Sequence, residues 1–257
     1  MLKYWNDCLY KTKYKEIKTN FNIVGYNQIR VEMKKIIVTG SEGLIGAEIC
    51  KYFEKNNHKV FRLDLKLGHD LNDEEFVKSW FKKNHAKYLV NCFALNDAVQ
   101  SDRKKQTLFD FSLESFSKYL DVNLVSLFSV CRQFVKNNKK SSIVNFSSIY
   151  GIVSPKPELY NGSHKDVGYG VSKAGVVNLS KYLAVHLAPD TRVNCVIPGG
   201  VLSKQNKNFI KSYSKLTPMK RMMKKTELNE LIDYLCSEKS SYATGSLFTM
   251  DGGYTTW

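Results

Sequence analysis

What most constrains the fold of this chain is a turn of closely spaced glycines between a short β-branched run and a longer amphipathic one. Ile36-Ile37-Val38-Thr39 has the length and residue types of a buried strand, and Leu44–Glu54 carries the apolar period of a helix. Gly40, Gly43 and Gly46 punctuate the join. Glycine tolerates the tight turn and lets backbone N–H groups approach an anion, which the N-terminus of the following helix also attracts. Away from a strand and a helix the spacing is an ordinary turn; in this setting it reads as a seat for the pyrophosphate of a dinucleotide.

The alternation continues along the chain. Val60–Asp64, Tyr88–Asn91, Ser142–Ser147, Arg192–Ile197 and Leu247–Met250 read as further strands, with a weaker candidate at Leu67–Asp70. Glu74–Asn84, Phe111–Asn137, Gly168–Leu187 and Thr226–Glu238 read as helices between them. Repeated β-α-β units predict an α/β fold, a single doubly wound parallel sheet with helices on both faces. No repeat or long linker calls for a second domain, so one domain is expected over 33–257. Residues 1–32 are rich in lysine, tyrosine and asparagine without a period, and read as an N-terminal extension upstream of a functional start at Met33. The competing reading is a helical arm that covers an oligomer surface.

Composition narrows the function classes. Apolar runs such as Cys92–Leu95 fall far short of the roughly 20 residues that span a bilayer, and the N-terminus lacks the apolar segment of a secretory signal. The six cysteines stand far apart, with no C-x-x-C pair for zinc or dithiol chemistry. The expectation is therefore a cytoplasmic protein with reduced thiols, no metal and no membrane partner. The net charge of +15 raises the question of nucleic acid, but the lysines are spread over nearly every segment rather than clustered, so no nucleic-acid partner is expected.

Two groups of residues carry chemistry. Asp64 ends the second strand 18 residues after Gly46, near the spacing of a carboxylate that binds adenosine ribose hydroxyls and repels a 2′-phosphate. Glu42 adds negative charge nearby while Arg62 and Lys66 oppose it; on balance NAD is expected over NADP. A plain turn carboxylate is the duller reading of Asp64. Further on, Tyr169-Gly170-Val171-Ser172-Lys173 opens a helix, which places phenol and ammonium on one face. A fixed cation there is expected to draw the phenol down from its usual value of about 10, readying it for proton exchange with an alcohol or carbonyl. The spacing alone is weak evidence, because Tyr14 and Lys18 repeat it outside the domain.

Order adds the weight. A nucleotide loop, a strand-end acid, Asn145-Phe146-Ser147-Ser148 and the tyrosine helix follow one another as in the short-chain dehydrogenase/reductase family, which residues 33–257 resemble. The resemblance implies a Rossmann-like fold and an oxidoreductase that moves hydride between nicotinamide and a secondary alcohol or ketone. It implies that Ser148 orients the substrate oxygen, that Asn123 holds a water of the proton relay, and that Lys173 also contacts the nicotinamide ribose. On the cofactor it implies Gly40, Glu42, Gly43, Leu44 and Ile45 at the pyrophosphate, Asp70 and Leu71 at adenine, and Asn91 and Ala94 at the ribose. Pro198, Gly199, Val201 and Ser203 would lie beside nicotinamide, and Asp251-Gly252-Gly253 resembles the family's C-terminal turn. It also implies a homodimer or homotetramer through the helices of Asn123 and Tyr169, with Val176, Val177 and Leu183 available to the interface or to the core. Taken singly, Ser148 also reads as a helix cap, Asn123 as a solvated residue and Pro198-Gly199 as a turn.

Two departures stand out. The family's usual T-G-x-x-x-G-x-G places glycine where Leu44 stands, with Gly43 one residue early, a spacing nearer that of sugar-nucleotide epimerases and dehydratases. Its N-N-A-G is replaced by Asn91-Cys92-Phe93-Ala94, whose final methyl hinders backbone approach to the ribose. The 21 residues from Ser148 to Tyr169 exceed the family pattern, and the inserted Pro155–Lys165 is rich in hydrogen-bonding side chains. Lysines at 204–225 fall where the family has its substrate lid. With Ser148-Ile149-Tyr150-Gly151, these features resemble flagellin-modification dehydrogenases of nonulosonic-acid and sugar-nucleotide pathways, which implies a sugar-based small-molecule substrate. The alternatives are solvated loops with no such meaning, an epimerase or dehydratase that retains NAD, an acyl-thioester ketoreductase, and a non-catalytic NAD-binding protein.

Overall fold

A computed structural model describes residues 33–97 and 106–257; the expected extension at 1–32 lies outside the described residues. Strands β1 (Lys35–Thr39), β2 (Lys59–Leu63), β3 (Tyr88–Asn91), β4 (Ser141–Phe146), β5 (Thr191–Pro198) and β6 (Leu247–Met250) form one sheet. Its order is β2-β1-β3-β4-β5-β6 and each neighbouring pair is parallel. The chain leaves β1 toward β2 and returns on the other side as β3, so the order reverses at β1. A parallel sheet of this kind opens its ligand crevice beyond the carboxyl ends of the strands at that reversal.

Strand residues alternate between two buried faces, which is why the strands read as nearly continuous apolar runs. Ile36, Val38, Val90, Val144 and Val196 pack with Ile49 and Phe53 of α1 (Leu44–Lys55) and with Ile232 and Leu235 of α7 (Asn229–Leu235). Ile37, Leu89, Ile143, Val193 and Ile197 pack on the opposite face. Their partners are Phe81 of α2 (Glu74–Lys83), Phe134 of α4 (Ser126–Asn137) and Val176 of α5 (Val167–Leu187). The expected single sheet with helices on both faces is what the residues build.

Several expected elements differ, each for a local reason. Leu67–Asp70 is not a strand: the Asp64 side chain accepts from Lys66 N and caps a 3₁₀ turn over Leu65–Leu67, which Gly68 ends at φ 79°. The helix expected over Phe111–Asn137 is two helices, α3 (Leu113–Leu120) and α4, joined by a π turn over Asp121–Val125 that contains Asn123. The helix expected over Thr226–Glu238 begins as a 3₁₀ turn, Lys225–Leu228, before α7. A helix absent from the expectation, α6 (Lys207–Leu216), starts at Asn206, whose side chain accepts from Phe209 N at 2.8 Å. Val176 and Leu183 belong to the core of the chain itself, so they leave nothing for association; outward apolar side chains on the same helix are Val171, Tyr182 and Val185. No helix among the described residues is long and apolar enough to cross a membrane.

Candidate active site

The glycine turn closes at the carboxyl end of β1. Gly40 adopts φ 66°, and a Cβ there would lie 2.5 Å from the Phe93 amide nitrogen. At Gly46 a Cβ would lie 2.1 Å from the Gly40 carbonyl oxygen. Neither position admits a side chain. Gly43, by contrast, has extended backbone at the start of α1, and Leu44 turns its side chain to solvent. The departure in glycine spacing thus falls on Leu44, which carries its side chain outward, and on Gly43, where a Cβ would lie 3.2 Å from the Gly40 carbonyl oxygen. No side chain caps the N-terminus of α1, so its first N–H groups face the crevice mouth unclaimed by a cap.

Asp64 stands beside this turn at the end of β2, where its Oδ2 accepts from Glu42 N at 2.9 Å and Oδ1 from Lys66 N at 2.9 Å. Of the two cations nearest in sequence, Arg62 is taken up by carboxylates, with Nη1 3.0 Å from Glu42 and Nη2 2.9 Å from Glu54, while the exposed Lys66 donates to the Glu42 carbonyl at 3.4 Å. Asp70 is exposed and its carboxylate accepts from Asn72 N, while Leu71 is buried. Ala94 is exposed just past β3. Asn91 turns inward instead: Oδ1 accepts from Thr39 Oγ1 at 3.0 Å and Nδ2 donates to Asn145 Oδ1 at 2.9 Å. Its side chain ties β1, β3 and β4 together and does not reach the crevice.

The proton-transfer residues come from β4 and α5. Tyr169, Lys173 and Ser148 are all buried. The Ser148 hydroxyl lies close enough to the Tyr169 phenol to favour its ionised form. Ser148 also accepts from Tyr150 N at 3.2 Å, so the duller reading of it as a cap holds as well. Lys173 Nζ donates to the Phe146 carbonyl at 2.9 Å, and Ser147 Oγ donates back to the Lys173 carbonyl at 2.7 Å. The expected fall of the phenol below its usual range does not occur. Burial pushes Tyr169 up against the opposing influence of Ser148, and burial pushes Lys173 down to about 8. Desolvation opposes both charged forms, and here it is the largest influence on each.

Asn123 acts on the site through a loop. Its Nδ2 donates to the Leu95 carbonyl at 3.0 Å and to Ser172 Oγ at 3.0 Å, and its Oδ1 accepts from Leu95 N at 2.7 Å. The carboxamide therefore pins the segment after β3 to α5. Beyond β5, Pro198 is buried, Gly199 N donates to the Met250 carbonyl, and Val201 pairs with Met223. Ser203 is exposed, with its amide bonded to Gln205 Oε1.

The insertion supplies groups that motif reading passed over. Tyr150 and Tyr160 meet hydroxyl to hydroxyl at 2.7 Å, and Phe209, Tyr213 and Tyr254 stack onward from Tyr160 toward α6 and the C-terminal turn. Lys165 lies against the ring of Tyr169. A lysine four residues before the tyrosine was a legible signal, since it repeats the helical spacing of Lys173 on the other side.

A parallel sheet with a glycine turn at its order reversal, and a buried Ser-Tyr-Lys group beyond β4, defines a short-chain dehydrogenase/reductase. The family model described as enoyl-(acyl carrier protein) reductase matches residues 45–255, and the chain belongs to this oxidoreductase family. It is 28% identical over 254 residues to the post-translational flagellin modification protein A of Campylobacter coli, covering 87% of this chain and 99% of that one. It is 27% identical over 256 residues to the 3-oxoacyl-[acyl-carrier-protein] reductase FabG of Chlamydia muridarum, covering 88% and 99%. Among solved structures, a short chain dehydrogenase from Leptospira borgpetersenii with bound NAD+ superimposes with a TM-score of 0.77 at 26% identity, covering 87% and 93%. The residues at the crevice fit a nicotinamide dinucleotide: a cradle that a Cβ at Gly40 or Gly46 would fill, a helix N-terminus with no side-chain cap, and a carboxylate at the β2 end.

Proposed function

We propose that the chain is an NAD-dependent oxidoreductase acting on a secondary alcohol or ketone of a sugar phosphate or nucleotide sugar. The observation that carries the reading is the burial of Ser148, just past β4, and of Tyr169 and Lys173, one helical turn apart on α5, with Ser148 favouring the ionised phenol. Bound nicotinamide would supply or accept the hydride. The chain does the remainder. Ser148 hydrogen-bonds the substrate oxygen, and Tyr169 gives or takes its proton. Lys173, anchored on Phe146, sets its charge beside them and contacts the nicotinamide ribose. Gly40, Glu42, Gly43, Leu44 and Ile45 seat the pyrophosphate, Asp64 the adenosine ribose, and Asp70 and Leu71 the adenine. NAD is preferred because Asp64 repels a 2′-phosphate while Arg62, paired with Glu42 and Glu54, has no charge to offer one.

Support for a sugar comes from polar groups near the tyrosine: Lys165 of the insertion lies over the Tyr169 ring, and the Tyr160 hydroxyl of the insertion meets that of Tyr150. The flagellin-modification relative agrees with this. The reductase FabG relative, at nearly equal identity, favours an acyl thioester as the second reading. Turnover of NAD against sugar phosphates, nucleotide sugars and acyl thioesters decides: preference for a sugar is expected, and preference for a thioester overturns it. Net release of NADH during turnover separates a dehydrogenase from an epimerase that retains its cofactor. In this reading residues 33–257 are the functional unit, and a chain begun at Met33 folds and binds NAD; insolubility of that chain rejects it. The unit self-associates in the cytoplasm as a dimer or tetramer, through outward side chains such as Val125 and Phe128 beside α3–α4 and Val171 and Val185 on α5.

A further inference from the structure

The insertion carries a lysine that the proton-transfer reading does not use. Lys165 stands four residues before Tyr169, as Lys173 stands four after it. Its half-buried side chain places Nζ 4.8 Å from the centre of the Tyr169 ring. Asn96 Oδ1, at 2.7 Å, and the Asp97 carbonyl hold it there. Both acceptors belong to the segment after β3, so one ammonium joins that segment to the ring of the proposed acid-base residue.

Two carboxylates share the field of this charge, each bonded to neutral donors rather than to the ammonium. The Asp97 carboxylate accepts from the Tyr119 hydroxyl at 3.2 Å. Asp166 accepts from Gly168 N at 2.8 Å and from Ser115 Oγ at 2.7 Å. Tyr119 meets the Tyr169 ring edge-on, Ser148 and Tyr160 lie within electrostatic reach of the phenol, and Lys173 is bonded to the Phe146 carbonyl. Among the described residues, Lys165 is the cation on the face of that ring. Burial pushes it down to about 8 while Asp97 and Asp166 pull the other way, so its charge is present through neutral pH.

A ring face is electron-rich and attracts a cation, and the attraction grows when the phenol loses its proton. The ammonium keeps its charge at neutral pH, so it faces the ring at the pH where Tyr169 would exchange its proton. We propose that Lys165 is a positioning residue of the proton-transfer site, a second cation that steadies the Tyr169 phenolate through the face of its ring. The inference rests on the reading of Tyr169 as the group that exchanges the proton.

Fluorine NMR of the full chain labelled with a fluorinated tyrosine tests it without substrate. The Tyr169 signal is assigned by its loss in Tyr169→Phe, and its midpoint is followed with pH. Lys165→Met raises that midpoint by about one pH unit. Lys165→Arg restores it, and Asn96→Ala, which loosens the tether but keeps the charge, leaves it in place. An unmoved midpoint in Lys165→Met, an equal rise in Asn96→Ala, or a wild-type Tyr169 that does not titrate before the protein unfolds overturns the proposal. Should Lys165→Met not fold, Lys165→Gln removes the charge while keeping a hydrogen-bonding end, and is held to the same result. In turnover, the acid limb of alcohol oxidation rises with the NMR midpoint. Absence of turnover on every alcohol with the NMR shift intact sinks the functional reading and leaves this one standing.

Discussion

On the cofactor side of the crevice, polar groups are held by backbone amides: Asp64 accepts from the N–H groups of Glu42 and Lys66, and Gly46 packs against the carbonyl of Gly40. On the substrate side, contacts run from side chain to side chain, as in Tyr150 with Tyr160 and Lys165 with Asn96. Backbone contacts leave little freedom in the identity of the residue beyond its conformation and size. Side-chain contacts can be rebuilt with other residues without disturbing the sheet. In the proposed reading, cofactor seating rests on the first kind of contact and the surroundings of Tyr169 include more of the second.

The most severe test of that division is Tyr169→Phe. Turnover of the preferred alcohol is expected to fall about 10³-fold, while calorimetric NAD affinity stays as in the wild type; a matching loss of NAD binding would break the separation between the two sides. Gly46→Ala probes the opposite side. Its methyl would sit 2.1 Å from the Gly40 oxygen, and urea unfolding should register a loss of about 3 kcal/mol together with weaker NAD binding. Intact stability there would mean that the turn gives way more easily than a backbone contact should.

Smaller effects sharpen the picture. Asp64→Ser should move the NAD-to-NADP ratio of kcat/KM about tenfold toward NADP; an unchanged ratio removes Asp64 from cofactor choice. Glu48→Gln lies away from both sides and supplies a baseline. The Glu48 carboxylate is buried on α1, 3.0 Å from Lys225, and its hydrogen bonds to Lys225 and Asn229 hold it below the usual carboxylate range against its burial. A carboxyl lowered in the fold stabilises above its unfolded value of 4.5, and that gain is lost as pH falls through the lower folded value. The variant should therefore cost about 1 kcal/mol at pH 7 in urea unfolding, with one side of the pair half-exposed. The gap should close on acidification, and a gap independent of pH would contradict the assignment.

Reading by period and motif succeeded where the chemistry is local. Tyr88–Asn91 and Leu247–Met250 are strands at the expected bounds, and α1 starts at the expected Leu44. Such reading failed where a side chain's partner is remote in sequence. Asn91 reads as a cofactor contact, and its amide spans to Thr39 and Asn145; the bonds of Asn123 to Leu95 and Ser172 have no counterpart in that reading. Helix α6 was missed because its lysines mask an apolar face that Phe209 and Tyr213 turn inward.

By itself the amino-acid order determined the parallel sheet, the glycine turn and the positions of Ser148, Tyr169 and Lys173, because strand period, turn conformation and helical spacing are properties of adjacent residues. Only the tertiary structure decided that burial outweighs the expected pull of an ammonium on the phenol, and that Lys165 rather than Lys173 lies on its ring. Desolvation and the direction of a long side chain depend on everything packed around them, and no local pattern encodes that.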